Sequence, residues 1–307
     1  MKNTIALLLL FLLSTSIFAQ NQADSLLVVL ATKKQDTSFV NLSNQLVKQL
    51  TETQTDKAIE IAQKGVEVAQ KLDYQQGIAQ LKIGLGWVYY RKGYIEKAFA
   101  ISQEALQLIE KIGDNSLKAA VLINIGAIYN EQERYELSLD YFEKALAIEK
   151  SQKNYKSMGR CLNNLAFTAF KAKNYKLAQN YIEKSIAHNQ EHKNEYFTAF
   201  ALRTQGDIWL EEQKSKEALA AWLKAAELGE KVQNNPFLIS CLHRIAKAYI
   251  EQKDYILTQK YLDYAVQIAQ KAQLRTEFRQ IYQLQSACYE GQKSTQRHWR
   301  ITKNISN

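Results

Sequence analysis

Three glycines, Gly84, Gly86 and Gly93, are spaced much like the glycines of a phosphate-binding turn. The dinucleotide-binding pattern G-x-G-x-x-G needs its third glycine three residues after the second, and Tyr89 stands at that position. No predicted strand precedes these glycines, although the nucleotide-binding turn connects a strand to a helix. The sequence therefore does not support a nucleotide site here.

A histidine pair offers a second kind of chemistry. His188 and His192 are four residues apart, so both imidazoles would lie on one face of a helix, where they could hold a metal ion. No third ligand is identifiable, and repeats described below carry Leu108, Ile148 and Leu228 at the position of His188. A packing role is therefore favoured over a zinc site, which stays the alternative for this pair.

The three cysteines are spaced like core residues. Cys161 and Cys241 stand at the same position of repeats that are two units apart. Stacked helices are about 10 Å apart, whereas a disulfide needs Cα atoms within about 7 Å. Cys288 also occupies an apolar repeat position, so all three cysteines are predicted to be small buried hydrophobic residues.

Catalytic motifs do not appear in the chain. The sequence contains no GxSxG elbow, no HExxH helix, no P-loop and no kinase motif set, so we expect neither an enzyme nor a cofactor. The formal net charge is +9, but Lys2 belongs to the leader described next and four basic residues lie in 293–307. Because no basic stripe follows one helix, nucleic-acid binding is not expected either.

The N-terminal segment 1–19 has the pattern of a secretory signal peptide. Lys2 precedes an apolar run from Ile5 to Leu13, and a small polar stretch ends at Ala19. A membrane-spanning helix needs about 20 apolar residues, so cleavage after Ala19 is favoured over retention as an anchor. No cysteine follows for lipid attachment. We expect export to the periplasm or the medium of a Gram-negative bacterium, without stable membrane insertion after cleavage.

A 40-residue repeat organises the rest of the chain. Residues 40 positions apart occupy equivalent positions of successive repeats, and each such set is called a column here. One column consists of small residues: Gly86, Gly126, Ala166, Gly206, Ala246 and Ser286. An aromatic column three residues later comprises Tyr89, Tyr129, Trp209, Tyr249 and Tyr289, with Ala169 as its exception. Small residues allow two helices to approach closely, and the neighbouring rings fill the space beside the crossing. Each repeat is therefore predicted to be a pair of antiparallel helices, which makes the fold all-α.

These columns resemble the tetratricopeptide repeat (TPR). The pattern L-G-x-x-Y, with a small residue nine positions after the Tyr, matches "IGAIYNEQERYELS" at 125–138, and "AFTAFKAKNYKLA" and "IAKAYIEQKDYILT" match more loosely. The chain departs from the family in its 40-residue rather than 34-residue period and in lacking the usual Trp and closing Pro. The resemblance implies an α-solenoid with a right-handed superhelix. Together with the leader, it also resembles the exported TPR input regions of Bacteroidetes-type sensor histidine kinases.

The predicted domain organisation follows from the columns. A signal peptide at 1–19 precedes a TPR-like array at 20–292, and a basic irregular tail occupies 293–307. The predicted repeats are 35–74, 75–114, 115–154, 155–194, 195–234 and 235–274, with a half repeat at 275–292.

The resemblance also implies where a partner would bind. In TPR proteins the first helix of each repeat lines the concave face, and exposed rings beside cations and amides can capture a peptide. The positions on this groove are Trp87, Tyr90, Arg91, Asn130, Arg160, Asn163, Phe167, Phe170, Lys171, Arg203, Asp207, His243 and Lys247. The expected function is a non-catalytic exported scaffold for a protein or peptide partner. The alternative is a truncated sensory input module of a TPR-containing histidine kinase.

Overall fold

The computed structural model describes residues 24–305 except 52, 273, 275 and 276, and it describes side chains as far as Lys293. The predicted signal peptide lies outside this part, so export stays a prediction. The described residues form α-helices joined by short connections, with no β-strand among them. This confirms the all-α fold of TPR-like helix pairs.

The described residues up to Gln152 form one compact unit, called here the N-terminal half. It contains α1 at residues 24–32, which the repeat analysis did not predict. The remaining helices of this half are α2 (Thr37–Leu50), α3 (Thr55–Lys71), α4 (Gln75–Arg91), α5 (Ile95–Ile112), α6 (Asn115–Glu131) and α7 (Tyr135–Ser151). Its core is aliphatic, with Leu46, Val47, Ile61 and Leu81 among the buried side chains.

The residues from Lys153 onward form a second compact unit, the C-terminal half. Its helices are α8 (Tyr155–Lys171), α9 (Tyr175–Glu191), α10 (Glu195–Glu211), α11 (Ser215–Lys231), α12 (Asn235–Glu251), α13 (Tyr255–Lys271) and α14 (Phe278–Ile305). Even-numbered helices from α2 to α14 are the first helices of their repeats. First helices of neighbouring repeats touch within each half, as α4 touches α6 and α8 touches α10.

Left-handed residues at regular intervals in the connections explain the period of the repeat. From α3 to α12, each half repeat except that of α5 consists of a 17-residue helix and a three-residue connection whose middle residue has positive φ. The amide after it closes the helix by donating to the carbonyl five residues back, as Tyr94 does to Tyr89 at 2.9 Å. Helix α5 has 18 residues, and Gly113 directly after it has positive φ. Glycine fills two of these positions, and Asp73, Glu133, Lys153, Lys173, Lys193, Gln213, Gln233 and Lys253 fill the others.

Asparagine and aspartate begin many of the helices. Besides Asp36 of α2, six described N-caps have a side chain that accepts a hydrogen bond from the backbone amide three residues later, which satisfies an otherwise unpaired donor of the first turn. These caps are Asp114, Asn154, Asn174, Asn194, Asn234 and Asp254. The regular spacing of such residues thus marks the helix starts as clearly as the apolar columns mark the packed faces.

The small-residue column has the packing role that the sequence predicts. A Cβ atom on Gly126 would lie 2.8 Å from the ring of Phe142, and one on Gly206 would lie 2.5 Å from Nε1 of Trp222. Both rings belong to the second helix of the same repeat. The second helix can therefore place a large ring directly over the first helix only because the first helix has no side chain there.

The C-terminal segment differs from the prediction. Residues 293–305 continue α14 as a helix, so the predicted irregular tail is wrong for this stretch. Polar and basic residues do not end a helix by themselves, and no glycine or proline follows Gly291 to interrupt it. No second helix covers this face of α14 among the described residues, and Ser286 and Tyr289 are accordingly exposed.

Candidate binding site

A pocket opens on the first helices of the C-terminal half. Its volume is about 300 Å³, which is at the small end of the range for ligand pockets and is large enough for one or two side chains of a bound chain. It lies between α8, α10 and α12, with one residue from α11 at its base. The lining residues are Phe170, Asp207, Leu210, Glu211, Trp222, Arg244, Lys247, Ala248 and Glu251.

An ion pair between neighbouring repeats forms one wall of the pocket. Arg244 of α12 donates two hydrogen bonds to Asp207 of α10, from Nε to Oδ1 at 2.6 Å and from Nη2 to Oδ2 at 2.9 Å. Trp222 Nε1 donates to the same Oδ1 at 3.0 Å. Arg244 Nη1 donates to the Ser240 carbonyl at 3.0 Å. Planar, two-point pairing of this kind fixes the orientation of both side chains.

Trp222 reaches this network because of a glycine. The indole is 2% exposed and passes over Gly206, where any Cβ would collide with Nε1 and Cδ1. It also donates to the Arg203 carbonyl at 3.2 Å. The indole thus satisfies its single donor while its ring closes the base of the pocket.

Three charged residues stand at the exposed rim, Glu211, Lys247 and Glu251. Tyr175 donates its hydroxyl to Glu211 Oε2 at 3.3 Å. Within the described part of the chain, Lys247 and Glu251 have no ion-pair partner within 4.0 Å. The pocket wall is therefore internally neutralised, whereas its rim carries charges that face solvent.

Three of the predicted groove residues line this pocket. Phe170, Asp207 and Lys247 come together there from three successive first helices. Arg160, Phe167 and Lys171 also lie on α8, partly or fully exposed, but they do not line the pocket. The structure thus brings together only a part of the predicted groove.

Asn163 and Arg203 have packing roles instead, which corrects the sequence interpretation. Asn163 is buried and donates to the Phe197 carbonyl at 2.8 Å, so it ties α8 to α10. The guanidinium of Arg203 lies 5.2 Å from the ring centre of Phe200 and 5.0 Å from that of Phe237. Burial, followed by the charge of Arg244, lowers the pKa of Arg203. The predicted place of this arginine in a peptide-binding groove does not fit these contacts.

His243 is also outside the pocket. Its Nε2 is buried without a hydrogen-bond partner among the described residues. Burial lowers the pKa of His243, and a hydrogen bond with Gln280 of α14 opposes this effect. This histidine therefore belongs to the packing between α12 and α14.

The N-terminal half holds the other predicted groove residues. Trp87 and Tyr90 of α4 stack with ring centres 5.0 Å apart, and the neighbouring Arg91 is exposed. Burial, followed by the charge of Glu131, raises the pKa of Tyr90. Asn130 of α6 has its Oδ1 buried without a hydrogen-bond partner among the described residues. Trp87 and Tyr90 thus form an aromatic pair on α4.

The histidine pair packs against a tyrosine. The His192 ring stacks on Tyr155 at 4.0 Å between centres, and His188 Nε2 lies 2.8 Å from the Tyr155 carbonyl oxygen. Within the described residues, no group of three His, Cys, Asp or Glu side chains is placed to hold a metal. The contacts favour the packing role of these histidines.

The cysteines are free and buried, as the column analysis predicts. Burial raises the pKa of the Cys241 thiol to about 12, and the nearby Arg203 and Arg244 only partly oppose this. A thiol with such a pKa is not a nucleophile near neutral pH.

Sequence reasoning missed most of the pocket, including Arg244 and Trp222. A signal was nevertheless present in the columns. Arg244 stands where other repeats carry Gly84, Asn124, Asn164 and Thr204, and Trp222 stands where they carry Ser102, Phe142, Ile182 and Leu262. Two adjacent repeats thus each carry a residue type that the other repeats lack at the same position, and both residues belong to this pocket.

Comparison with known proteins agrees with this architecture. The tetratricopeptide repeat family matches residues 78–151 and 117–191. No curated protein matches the chain in sequence. No helix in the described residues is long and apolar enough to cross a membrane.

Solved structures share the fold at low sequence identity. The apo form of RapI aligns over 86% of this chain and 94% of the RapI chain, with a TM-score of 0.67 and 15% sequence identity. A Rap protein complexed with competence and sporulation factor has a TM-score of 0.61 at 14% identity, covering 85% and 88%. Aspartyl phosphate phosphatase F from Bacillus subtilis has a TM-score of 0.62 at 18% identity, covering 84% and 66%. The chain therefore has a TPR-like fold, with the family model matched across residues 78–191 and similar helix pairs on either side.

Proposed function

We propose that this chain is a non-catalytic scaffold that binds a protein or peptide partner on the first helices of its C-terminal half. The observation that carries the proposal is the pocket between α8, α10 and α12, which is preformed, open to solvent and lined by both apolar and charged side chains. Such a combination provides buried area and orientation for a partner residue.

The fold supports an interaction role. One structural neighbour is a Rap protein that was solved in complex with competence and sporulation factor. First helices of successive repeats present their side chains side by side, so an extended partner can contact several repeats at once. The wall of the pocket is already organised by the Asp207–Arg244 pair, so binding there would require little ordering of side chains.

Site-specific photo-crosslinking tests the proposal. Benzoylphenylalanine at position 247 would stand at the pocket rim, and the same group at position 217 would stand on the exposed face of α11 as a matched control. We expect a partner to crosslink from position 247 and not from position 217. Equal crosslinking from both positions would show that the pocket is not the site of partner binding.

Export is a separate part of the proposal, and it rests on the sequence of the N-terminal segment 1–19. The expected mature protein begins at Gln20 and is found in the periplasm or the medium. Mass spectrometry of the native protein measures this directly. An intact N-terminus on a protein that stays in the cytoplasm would contradict export but would leave the binding pocket unaffected.

The sensory alternative concerns the gene rather than the pocket. If the chain is a truncated input module of a TPR-containing histidine kinase, the DNA downstream of codon 307 should encode a kinase-like sequence in another frame. Unrelated downstream sequence would count against this alternative and leave the stand-alone scaffold.

A further inference from the structure

The pocket of the C-terminal half combines an apolar interior with a charged rim, and this arrangement specifies its occupant more closely than the proposed function does. Phe170 and Leu210 contribute apolar surface from α8 and α10, and the buried indole of Trp222 closes the base. This interior can accommodate the hydrocarbon part of a side chain. The charged residues of the pocket wall and rim determine which polar group the outer end of that side chain can carry.

The obvious cation in the pocket is not available to a ligand. Arg244 directs Nε and Nη2 to the two carboxylate oxygens of Asp207, at 2.6 and 2.9 Å. Its Nη1 donates to the Ser240 carbonyl. Asp207 thus occupies the position that an acidic ligand would need for two-point binding. An incoming carboxylate would have to displace a partly buried ion pair, which is energetically costly.

The rim favours the opposite charge. Glu211 and Glu251 occupy the same position of two successive repeats, on α10 and α12. Both side chains line the same pocket, so both carboxylates can approach one cation held in it. Lys247 is the single basic residue of the rim among the described residues that line the pocket, and it lies one turn before Glu251 on α12.

We infer that this pocket takes a lysine or arginine side chain of a protein partner, with the aliphatic stem against Phe170 and Leu210 and the cationic group between Glu211 and Glu251. Long basic side chains commonly bury their stems along apolar surface while the charged end stays near water. The inference rests on the proposed function, because it names the residue type by which the partner is anchored.

The indole N–H of Trp222 is a built-in reporter for this site, because it is bonded to Asp207 at the base of the pocket. We would follow its indole signal in ¹H–¹⁵N spectra of the whole chain, with Trp222→Phe to assign it. The probes are four short, capped peptides of alanine and serine that carry one central Arg, Lys, Leu or Glu. Each peptide is titrated to millimolar concentration.

The Arg and Lys peptides should shift the Trp222 signal at lower concentration than the Leu peptide, and the Glu peptide should leave it unchanged. Glu211→Gln with Glu251→Gln should weaken binding of the Arg peptide about fivefold, the size expected for two exposed ion pairs. Lys247→Gln should strengthen it about twofold, since a like charge is removed. Glu217→Gln, an exposed change on α11, is the matched control and should have no effect.

Tighter binding of the Glu peptide, equal binding of the Leu and Arg peptides, or no shift with any peptide would overturn the inference. So would an unchanged affinity for the Arg peptide in the Glu211→Gln, Glu251→Gln variant. In each case a partner crosslink from position 247 would still support the proposed function. Loss of that crosslink, by contrast, would count against the pocket as a binding site altogether.

Discussion

The first helices of the two halves have nearly the same backbone and present different surfaces. In the N-terminal half, α4 presents the stacked rings of Trp87 and Tyr90, and the buried Oδ1 of Asn130 lacks a partner among the described residues. In the C-terminal half, α10 and α12 present the Asp207–Arg244 pair at the wall of a pocket of about 300 Å³. A smaller cavity of about 160 Å³ in the N-terminal half is lined mainly by second helices, including Phe99 and Tyr141.

The difference comes from the side chains that line the pocket, eight of which have a different residue at the corresponding position of the N-terminal half. The residue pair that corresponds to Asp207 and Arg244 is Trp87 and Asn124 in the N-terminal half, and Asn124 donates to the Ile83 carbonyl at 3.0 Å. Position 222 corresponds to Ser102. A repeat fold therefore supplies helix positions at regular intervals, and different side chains at those positions give the two halves different surfaces.

The largest expected effect is loss of the buried ion pair. Arg244→Ala should destabilise the C-terminal half by about 2 to 3 kcal/mol, because Asp207 stays largely buried without its cation. Only 12% of the Asp207 side chain is exposed, against 33% of Arg244. Hydrogen exchange read by mass spectrometry should show faster exchange in α10 and α12 and unchanged exchange in α4 and α6.

The matched change in the N-terminal half is Lys92→Ala. Lys92 pairs with Asp56, which is 85% exposed, so removal of this cation should leave protection nearly unchanged. Replacing both members of the buried pair, by Asp207→Leu with Arg244→Met, should recover most of the lost protection. If Arg244→Ala has as little effect as Lys92→Ala, the pair does not organise the pocket wall.

The second prediction concerns the glycine beneath the indole. Gly206→Ala should destabilise the C-terminal half by about 2 kcal/mol, since the new methyl group would overlap Trp222. Urea unfolding followed by tryptophan fluorescence measures the loss. In a Trp222→Leu background, which copies Leu262 of the next repeat, the same glycine change should cost clearly less, since only the close contact with the Ala218 carbonyl oxygen at 3.0 Å remains. An equal loss in both backgrounds would mean that the indole is not the obstacle.

A third prediction concerns the pH dependence of stability, which should differ between the halves because all four histidines lie at or after position 188. Burial holds the pKa of His243 below its ordinary value, so the unfolded chain takes up this proton more readily than the folded one. The stability that neutral His243 contributes is complete above its ordinary pKa of about 6.5 and is lost as the pH falls below it. Lowering the pH from about 7.5 to about 5.5 should reduce protection in α12 and leave α4 unaffected.

The variant His243→Gln provides the control for this pH effect. It should abolish the part of the pH dependence that arises in α12, because the amide does not titrate. A pH dependence that persists unchanged in the variant would assign the effect to another histidine.

The smallest expected effect concerns the left-handed connections. Both glycines at these positions, Gly93 and Gly113, lie in the N-terminal half, whereas the C-terminal half uses Lys and Gln throughout. Lys173→Gly should stabilise the protein by about 0.5 kcal/mol. The free energy gained by relieving the strained φ of 59° slightly exceeds the free-energy cost of the larger conformational entropy of the unfolded chain. Gly93→Ala should destabilise it by about 1 kcal/mol. Thermal unfolding measures both, and changes of the opposite sign would show that strain at these turns is absent.

Much of the fold could be predicted from the sequence, because a repeat makes the same packing requirement several times. The small column predicted that helices would touch at Gly126 and Gly206, and the structure confirms both contacts. The predicted repeat 115–154 contains one pair of helices, α6 and α7. Helix α1 was not predicted because it has no counterpart in the columns. The tail was predicted to be irregular because its periodicity ends, although helix formation requires only tolerant residues.

The site was harder to predict than the fold. Asn163 and Arg203 were placed in the groove because polar residues on a first helix suggest exposure, yet both satisfy packing contacts between α8, α10 and α12. A single column cannot show that Asp207 and Arg244 would pair, since the contact joins different positions of neighbouring repeats. The pocket depends on contacts between residues of different columns, and these contacts cannot be read from the residues of any one column.

The central claim is that a partner residue enters the pocket of the C-terminal half. Ala248 lines that pocket, and Ala220 is an exposed alanine of α11. Once the partner is identified by crosslinking, its affinity for Ala248→Trp and for Ala220→Trp can be compared by calorimetry. If a partner residue occupies the pocket, filling it by Ala248→Trp should weaken binding at least about tenfold, while Ala220→Trp should leave the affinity unchanged. Equal affinity of the two variants would show that no partner residue enters the pocket.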